Sequence, residues 1–313
     1  MLIEDDIEKL RQELPHIHSN PPHIIHICEN EKISIVAADR PDKAVVIGPG
    51  GYIAGHLAKK YQKPLSITAY TDEIIKEFRK KESIRLLNSM DVTGEQKEIL
   101  TALRKLLSGD AHYRDITVAV AMSGGRDSLA SAVLVHKLFS VFGLTVYPSD
   151  MILPPYVRDA VNESVSKLAI AHQYVTADFS DIIQKSLDGR IHPCGHCHKR
   201  MTDILIKECV KMDISAIVFG ELLPTGSQSL RLVDGVLVIN LPAFLALTKK
   251  DTTDIASTVK EYSSYALGCP LLKQVHKKYS AKKYATVKRV FREVRAGVLE
   301  PGEALKYVKP LLK

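Results

Sequence analysis

Residues 116–139 read ITVAVAMSGGRDSLASAVLVHKLF. Ile116 to Met122 is an apolar run of strand type. It is closed by Ser123-Gly124-Gly125-Arg126-Asp127-Ser128, and a helical pattern follows at once, from Ser128 to Phe142. Two glycines permit a tight turn and close approach of the backbone to a ligand. The N–H groups at a helix start point outward and favour an anion. The hydroxyls of Ser123 and Ser128 can donate to phosphate oxygens, and Arg126 adds positive charge. Asp127 is a carboxylate suited to Mg²⁺, which bridges nucleotide phosphates. The order strand, glycines, hydroxyls, acid, helix is that of a phosphate-binding loop, but G-x-x-x-x-G-K-[ST] is absent.

Outward from this loop, strand and helix patterns alternate. Leu144 to Tyr147 begins a second strand, Val157 to His172 reads as a helix, and Tyr174 to Thr176 as a strand. Cys197 to Met212 reads as a helix and Ile214 to Gly220 as a strand. Asp234-Gly235 between β-prone residues marks a hairpin, and Thr252 to Tyr262 is helical. This alternation predicts an α/β fold, a mainly parallel sheet with helices on both faces. Upstream, Ile3 to Leu14 and Tyr52 to Tyr61 read as helices. Ile33 to Ala38, Ala44 to Ile47 and Leu65 to Ala69 read as strands, and Thr71 to Leu87 and Asp91 to Leu107 as amphipathic helices. The expected organisation is a small N-terminal α/β domain over 1–110, the phosphate-loop domain over 111–270 and a basic helical region over 271–313. Val46 to Gly55, VIGPGGYIAG, offers a partial dinucleotide fingerprint, but Ile53 stands where its last glycine belongs. A structural turn with close helix packing is the favoured reading.

The chain has 313 residues, 45% hydrophobic and 25% charged. That composition excludes a disordered, collagen-like or disulfide-stapled chain. No window carries about 18 uninterrupted apolar residues, so no membrane span is expected. The start, MLIEDDIEKLRQEL, lacks the basic and apolar regions of a secretory signal, so a cytoplasmic location is expected. The net charge of +7 is uneven: Pro270 to Lys313 holds twelve Lys/Arg against three Asp/Glu. Such a stretch is the electrostatic footprint of a nucleic-acid partner. Tyr279 and Tyr284 within it could stack on bases, although packing is the commoner role of such tyrosines.

The five cysteines are Cys28, Cys194, Cys197, Cys209 and Cys269. An odd number without a secretion signal argues for metal or thiol chemistry rather than a disulfide framework. Cys194 and Cys197 stand in HPCGHCHKR, a C-x-x-C turn before a helix, and Cys269 stands in Gly-Cys-Pro. Ligand chemistry alone leaves three readings: an iron–sulfur cluster, Zn²⁺ with one of His192, His196 or His198 as fourth ligand, and persulfide chemistry on Cys194 and Cys197. Cys209 and Cys28 read as buried small hydrophobes.

The string S-G-G-x-D-S resembles the PP-loop superfamily of ATP pyrophosphatases. With C-x-x-C at a helix start and one downstream cysteine, the chain resembles its tRNA-thiolating branch, the 2-thiocytidine and 2-thiouridine synthetases. The resemblance covers about residues 114–270 and implies a set of roles. Ser123 to Ser128 would grip ATP, Asp127 would carry Mg²⁺, and Cys194, Cys197 and Cys269 would hold a 4Fe–4S cluster with one iron open for sulfide. Lys199 and Arg200 would lie near the ATP phosphates or the substrate. Where relatives carry an acidic pair after a later strand, this chain has Gly220-Glu221-Leu222-Leu223-Pro224-Thr225-Gly226-Ser227, so Glu221 is the candidate for the missing pair, as Mg²⁺ ligand or general base, with an ordinary charged loop residue as the alternative. The implied activity is an ATP-dependent sulfurtransferase that adenylates a base carbonyl of tRNA and replaces oxygen with sulfur. Its sulfur would come from sulfide, a cysteine desulfurase or a sulfur carrier protein, and a homodimer is left open. The competing classes are a PP-loop enzyme amidating or thiolating a small molecule, and a non-catalytic ATP- or RNA-binding module with structural zinc.

Overall fold

The computed structural model describes residues 2–14, 20–110, 112–223, 228–261 and 268–312. The chain divides into two compact units at Phe78/Arg79. The first contains helix α1 (Leu2–Gln12), strands β1 (Ile24–Glu29) and β2 (Ile33–Ala37), helices α2 (Arg40–Ile47) and α3 (Tyr52–Tyr61), strand β3 (Leu65–Ala69) and the start of α4 (Tyr70–Ser89). Its sheet runs β1-β2-β3, antiparallel then parallel. Ile3, Ile7, Ile33, Ile35, Val46, Ile53 and Leu57 form its core. The stretch read as a strand from Ala44 is instead the end of α2. Asp39 accepts from the Asp42 amide at 2.9 Å, and a proline stands in the first turn, so a cap decides the conformation of a short apolar run. β1 is a strand that the sequence pattern does not predict, and Pro15 to Ser19 before it are outside the described residues. Gly48 turns at φ +74°, and a Cβ there would stand 2.8 Å from Ile53 Cγ1. That close packing gives the VIGPGG turn a structural reason.

The second unit holds α5 (Gly94–Ser108), β4 (Arg114–Ala121), α6 (Arg126–His136), β5 (Phe139–Tyr147), α7 (Pro155–Leu168), β6 (Ala171–Thr176), α8 (Ser180–Leu187), α9 (Pro193–Lys211) and β7 (Ala216–Phe219). The hairpin β8 (Leu230–Val233) and β9 (Val236–Asn240) follows, then α10 (Leu241–Phe244), α11 (Lys249–Ser257), α12 (Pro270–Lys278), α13 (Lys283–Arg295) and α14 (Pro301–Leu312). The sheet order is β6-β5-β4-β7-β9-β8, parallel except for the edge strand β8. Ile116, Val118 and Val120 of β4 face a core completed by α5, α6 and α7, while Ala119 faces a second core completed by α8 and α9. β4 is therefore buried on both sides, which is why its sequence is continuously apolar.

Two expected boundaries move. Residues 79–110 belong with the large sheet rather than the small domain, because Leu87, Ile99, Leu100 and Leu103 bury in its core and Ser83 Oγ donates to Phe244 O at 2.7 Å. The basic region after 270 likewise sits within the second unit, as Leu271 N bonds to Met151 O at 2.9 Å. Locally, the helix after the phosphate loop ends at His136 rather than Phe142. Val141 and Leu144 are buried β5 positions, and β5 pairs with β4 from Phe139 onward. Among the described residues, no helix is long and apolar enough to cross a membrane.

Candidate active site

β4 is the strand at which the chain reverses direction across the sheet: β5 and β6 lie to one side, β7 and β9 to the other. Ligands of open α/β sheets bind outside the carboxyl ends of the strands at such a point. The ends of β4 and β7 are neighbours there, with Val120 opposite Val218. Ser123 to Ser128 leaves β4, and Gly220 leaves β7. A Cβ on Gly220 would stand 2.6 Å from Ser128 N and 2.8 Å from Asp127 O, so the two segments touch backbone to backbone. Gly124, at φ +73°, is pressed in the same way against Val157 of α7, at 2.8 Å from Cγ1.

Within the loop, Ser123 Oγ donates to Ser128 Oγ at 3.0 Å, and Ser128 Oγ donates to Gly125 O at 2.9 Å. Both hydroxyls therefore shape the loop in this state. Arg126 contributes its backbone to the loop; its Nε stands 3.8 Å from Asp127 Oδ1, while the end of its side chain reaches outward. The guanidinium bonds Thr253 Oγ1 at 3.0 Å, Glu303 at 2.8 Å and the Tyr307 hydroxyl at 3.3 Å. Asp127 is held by two groups absent from the sequence expectation. Lys249 Nζ pairs with Oδ2, and Thr252 Oγ1 donates to Oδ1 at 2.7 Å. The discernible signal for this segment is Thr248-x-x-Asp251, a capping box that starts α11 three residues before the Thr252 start expected from periodicity.

Glu221 follows Gly220 directly, and His198 Nε2 stands 2.9 Å from its Oε1. Burial works to raise the Glu221 carboxyl, but the hydrogen bond from His198 wins and holds it below its ordinary value. The same bond raises His198. Gly220-Glu221 thus touches the phosphate loop on one side and the cysteine helix on the other. Pro224 to Ser227, the rest of that departing segment, lie outside the described residues.

Cys194 and Cys197 occupy the first turn of α9, and Cys269 is the N-cap of α12. All five cysteines are free thiols. Burial pushes the Cys197 thiol up to about 12, helped by Cys269 and then Cys194. Burial also raises Cys194, against Arg289, with Cys269 adding to the rise. The three sulfurs thus lie within electrostatic reach of one another. Even so, no group of three His, Cys, Asp or Glu among the described residues is placed to hold a metal ion as it stands. Cys209 is fully buried and raised to about 12 by burial, as a small core hydrophobe should be.

Lys199 and Arg200 both line one open cleft, and they differ in what their side chains meet. Arg200 forms an ion pair with Asp181, with its second nitrogen at 3.1 Å, and bonds Asp178 O at 3.3 Å, so its guanidinium is engaged by α8. Lys199 lines an open cleft of about 830 Å³ with His192, His196, Lys185 and Asp203. Of the two basic-tail tyrosines, Tyr279 packs: a Cβ on Gly189 would stand 2.7 Å from its ring, and its hydroxyl donates to Leu187 O at 3.1 Å. Tyr284 is exposed.

Three histidines set a pH dependence. Burial holds His172, His192 and His276 below their ordinary value, with nearby cations adding to the effect at His192 and His276. The unfolded chain takes up protons at these sites below about pH 6.5, while the folded chain does not until lower pH. Stability should therefore fall as pH drops from about 6.5 toward the lowered values. His198 acts with the opposite sign: its contribution is full below about pH 6.5 and fades as pH rises through its raised value. The urea midpoint should be lower at about pH 5.5 than at about pH 7, and His172→Asn should flatten that slope. A midpoint that rises on acidification would contradict the burial of these rings.

The loop thus lies at the reversal point of a mostly parallel α/β sheet covered by helices on both faces. No protein-family model matches the chain. It is 33% identical over 245 residues to the uncharacterized protein MJ1638 of Methanocaldococcus jannaschii, covering 76% of this chain and 94% of that protein, and it belongs to the same family. Solved structures resemble it more distantly. The U34-tRNA thiolase NcsA of Methanococcus maripaludis, with its 4Fe–4S cluster, has TM-score 0.42 and 18% identity, over 69% of this chain and 78% of that one. A predicted subunit of tRNA methyltransferase from Methanocaldococcus jannaschii has TM-score 0.36 and 17% identity, over 53% and 88%. Phosphoadenylyl-sulfate reductase from Candida auris has TM-score 0.37 and 10% identity, over 54% and 88%. At such values the likenesses concern chain path and carry nothing about reaction.

Proposed function

We propose that this protein is an ATP-dependent transferase that activates a base carbonyl of tRNA as its adenylate and replaces the oxygen with sulfur. The observation that carries the reading is the Gly220-Glu221 junction. It packs on the backbone of Asp127 and Ser128 and is bonded through Glu221 to His198, next to Cys197. A nucleotide loop and a cysteine motif are thereby set side by side at the functional end of the sheet.

In this reading the Ser123–Ser128 loop receives the pyrophosphate portion of ATP on its backbone N–H groups. Asp127 holds the Mg²⁺ that neutralises the phosphates. The base oxygen attacks the α-phosphorus and pyrophosphate leaves, which turns that oxygen into part of a leaving group. A sulfur nucleophile then adds at the carbon, and AMP departs with the oxygen. Glu221, paired with His198, is the acid or base nearest both motifs. Lys199 faces the cleft and would meet an anionic substrate there, while Arg200 positions α8. The exposed basic residues of α13, with Tyr284, would follow an RNA backbone.

For a cluster, the donor set fits in kind. Cys194, Cys197 and Cys269 lie at the starts of two helices; burial first, and neighbouring cysteines second, raise Cys194 and Cys197, so a bound metal would have to displace their protons. A 4Fe–4S cluster held by these three would supply sulfur binding and delivery. The second reading is zinc or persulfide chemistry on a smaller substrate. It draws on His192 and His198 beside the cysteines and on the lack of a preformed three-ligand group among the described residues.

Anaerobic purification with iron, acid-labile sulfide and zinc analysis separates the two. About four irons and four sulfides per chain, lost in both Cys194→Ala and Cys269→Ala with nucleotide binding retained, is the expected result. One zinc and no iron would overturn the cluster reading, and a cluster retained in Cys269→Ala would overturn the ligand assignment.

A further inference from the structure

We infer that Lys249 is the exchangeable counter-ion of the phosphate loop. It pairs with Asp127 in the structure and moves to a nucleotide phosphate when a divalent cation takes the carboxylate. The inference rests on the ATP-binding reading of the loop and adds to it a residue from a segment 122 positions away.

The geometry is specific. Both carboxylate oxygens of Asp127 are occupied, one by Lys249 Nζ and one by the Thr252 hydroxyl at 2.7 Å. The Lys249 side chain is 14% exposed, so this is a sheltered pair rather than a surface one. Its backbone is fixed. Thr248 and Asp251 cap α11 reciprocally, and Lys249 N bonds to Val298 O at 2.7 Å. What remains free to move is the four-carbon stem and its ammonium, with three donors to place.

Two further observations define the role. A carboxylate that is to carry a divalent cation cannot keep a full ammonium on the same oxygen, because like charges at that distance repel strongly. Lys249 must therefore leave Oδ2 when the cation arrives, and the nearest new negative charge is the phosphate chain the loop holds. The S-G-G-x-D-S loop also lacks the lysine that a Walker loop carries to the β- and γ-phosphates. Arg126, the loop's own cation, stands 3.8 Å from Asp127 Oδ1 through Nε but makes its hydrogen bonds to Glu303, Tyr307 and Thr253, so it is less free to move than Lys249. Lys249 supplies from α11 the charge that the loop sequence omits. Thr252 keeps Asp127 oriented through the exchange, since a hydroxyl does not compete with a cation for charge.

The test uses the full chain, Mn²⁺ read by the loss of its free EPR signal, and α,β-methylene-ATP read by calorimetry. Wild-type protein should take up Mn²⁺ weakly alone and tightly with the analogue. Lys249→Met should bind Mn²⁺ alone about tenfold more tightly and the analogue about tenfold more weakly. Lys249→Arg should keep the analogue within about threefold of wild type. Thr252→Val, which leaves the ammonium in place, should keep wild-type exclusion of Mn²⁺ and serves if Lys249→Met fails to fold: Mn²⁺ uptake by Thr252→Val alone would contradict exclusion by Lys249. Wild-type protein that binds no analogue would overturn the nucleotide reading of the loop and this inference with it. Wild-type protein that binds the analogue, with Lys249→Met matching it for both probes, would overturn the inference alone.

Discussion

On the proposed reaction, Asp127→Asn should lower ATP-dependent AMP formation by about 10³-fold, while the chain remains folded. The side chain keeps its shape and can still accept from the Thr252 hydroxyl, now 2.7 Å away. What is lost is the negative charge that would hold a divalent cation at the phosphates. The pair with Lys249 is lost too, leaving a sheltered ammonium without its counter-ion, at a stability cost of about 1 to 3 kcal/mol. AMP release is read from labelled ATP, and folding from the urea midpoint. A variant with wild-type AMP release would remove Asp127 from the chemistry. A variant that loses both activity and fold would leave the Lys249→Met variant, with its Mn²⁺ readout, to decide the role of the carboxylate.

Gly220→Ala should be the most damaging single-atom addition near the site. Its Cβ would meet Ser128 N at 2.6 Å and Asp127 C at 2.7 Å, both backbone atoms of the first turn of α6. No rotamer relieves a backbone contact, so α6 must withdraw from the end of β7 or the β4–β7 pairing must give. The expected loss is about 3 kcal/mol of stability, together with nucleotide binding, because the loop is shaped by the same turn. Gly55 in α3 is the contrast. Nothing stands within 4 Å of a Cβ there, so Gly55→Ala should stabilise the chain by about 0.5 to 1 kcal/mol. Equal effects of the two substitutions on the thermal midpoint would contradict the close approach at Gly220.

The phosphate loop was legible because its signals are local: a buried strand, two glycines and a helix start occupy one short stretch. β3 and α3 were legible to the residue for the same reason, with uniform periodicity and clear stops at Gln62 and Lys63-Pro64. The errors arose where tertiary contacts outvoted local pattern. Val45, Val46 and Ile47 look like strand but follow the Asp39 cap into a helix. Leu138 to Phe142 looks like helix but turns into β5 because β4 offers it a pairing edge. The domain boundary was placed by composition near 110, whereas Ile99 and Leu103 decide it by burial in the larger core.

The site divides in the same way. Ser123 to Ser128, Cys194, Cys197 and Cys269 are candidates that spacing alone singles out. Lys249 and Thr252 could not, since their meaning comes from reaching Asp127 across the fold. Arg126 and Arg200 show the converse. Both stand in the candidate motifs, yet the ends of their guanidinium groups reach Glu303 and Asp181. Spacing tells which residues share a segment; only the fold tells where a long side chain ends.

The proposed reaction cleaves ATP between its α- and β-phosphates with an RNA base as acceptor. The direct measurement incubates anaerobically purified protein with α-labelled ATP, sulfide and total tRNA, and follows AMP, pyrophosphate and thiolated nucleosides together. AMP and pyrophosphate formed in equal amounts, dependent on tRNA and matched by a new thionucleoside, is the result this account expects. ADP and phosphate as products, or AMP formed at the same rate without RNA, would contradict it.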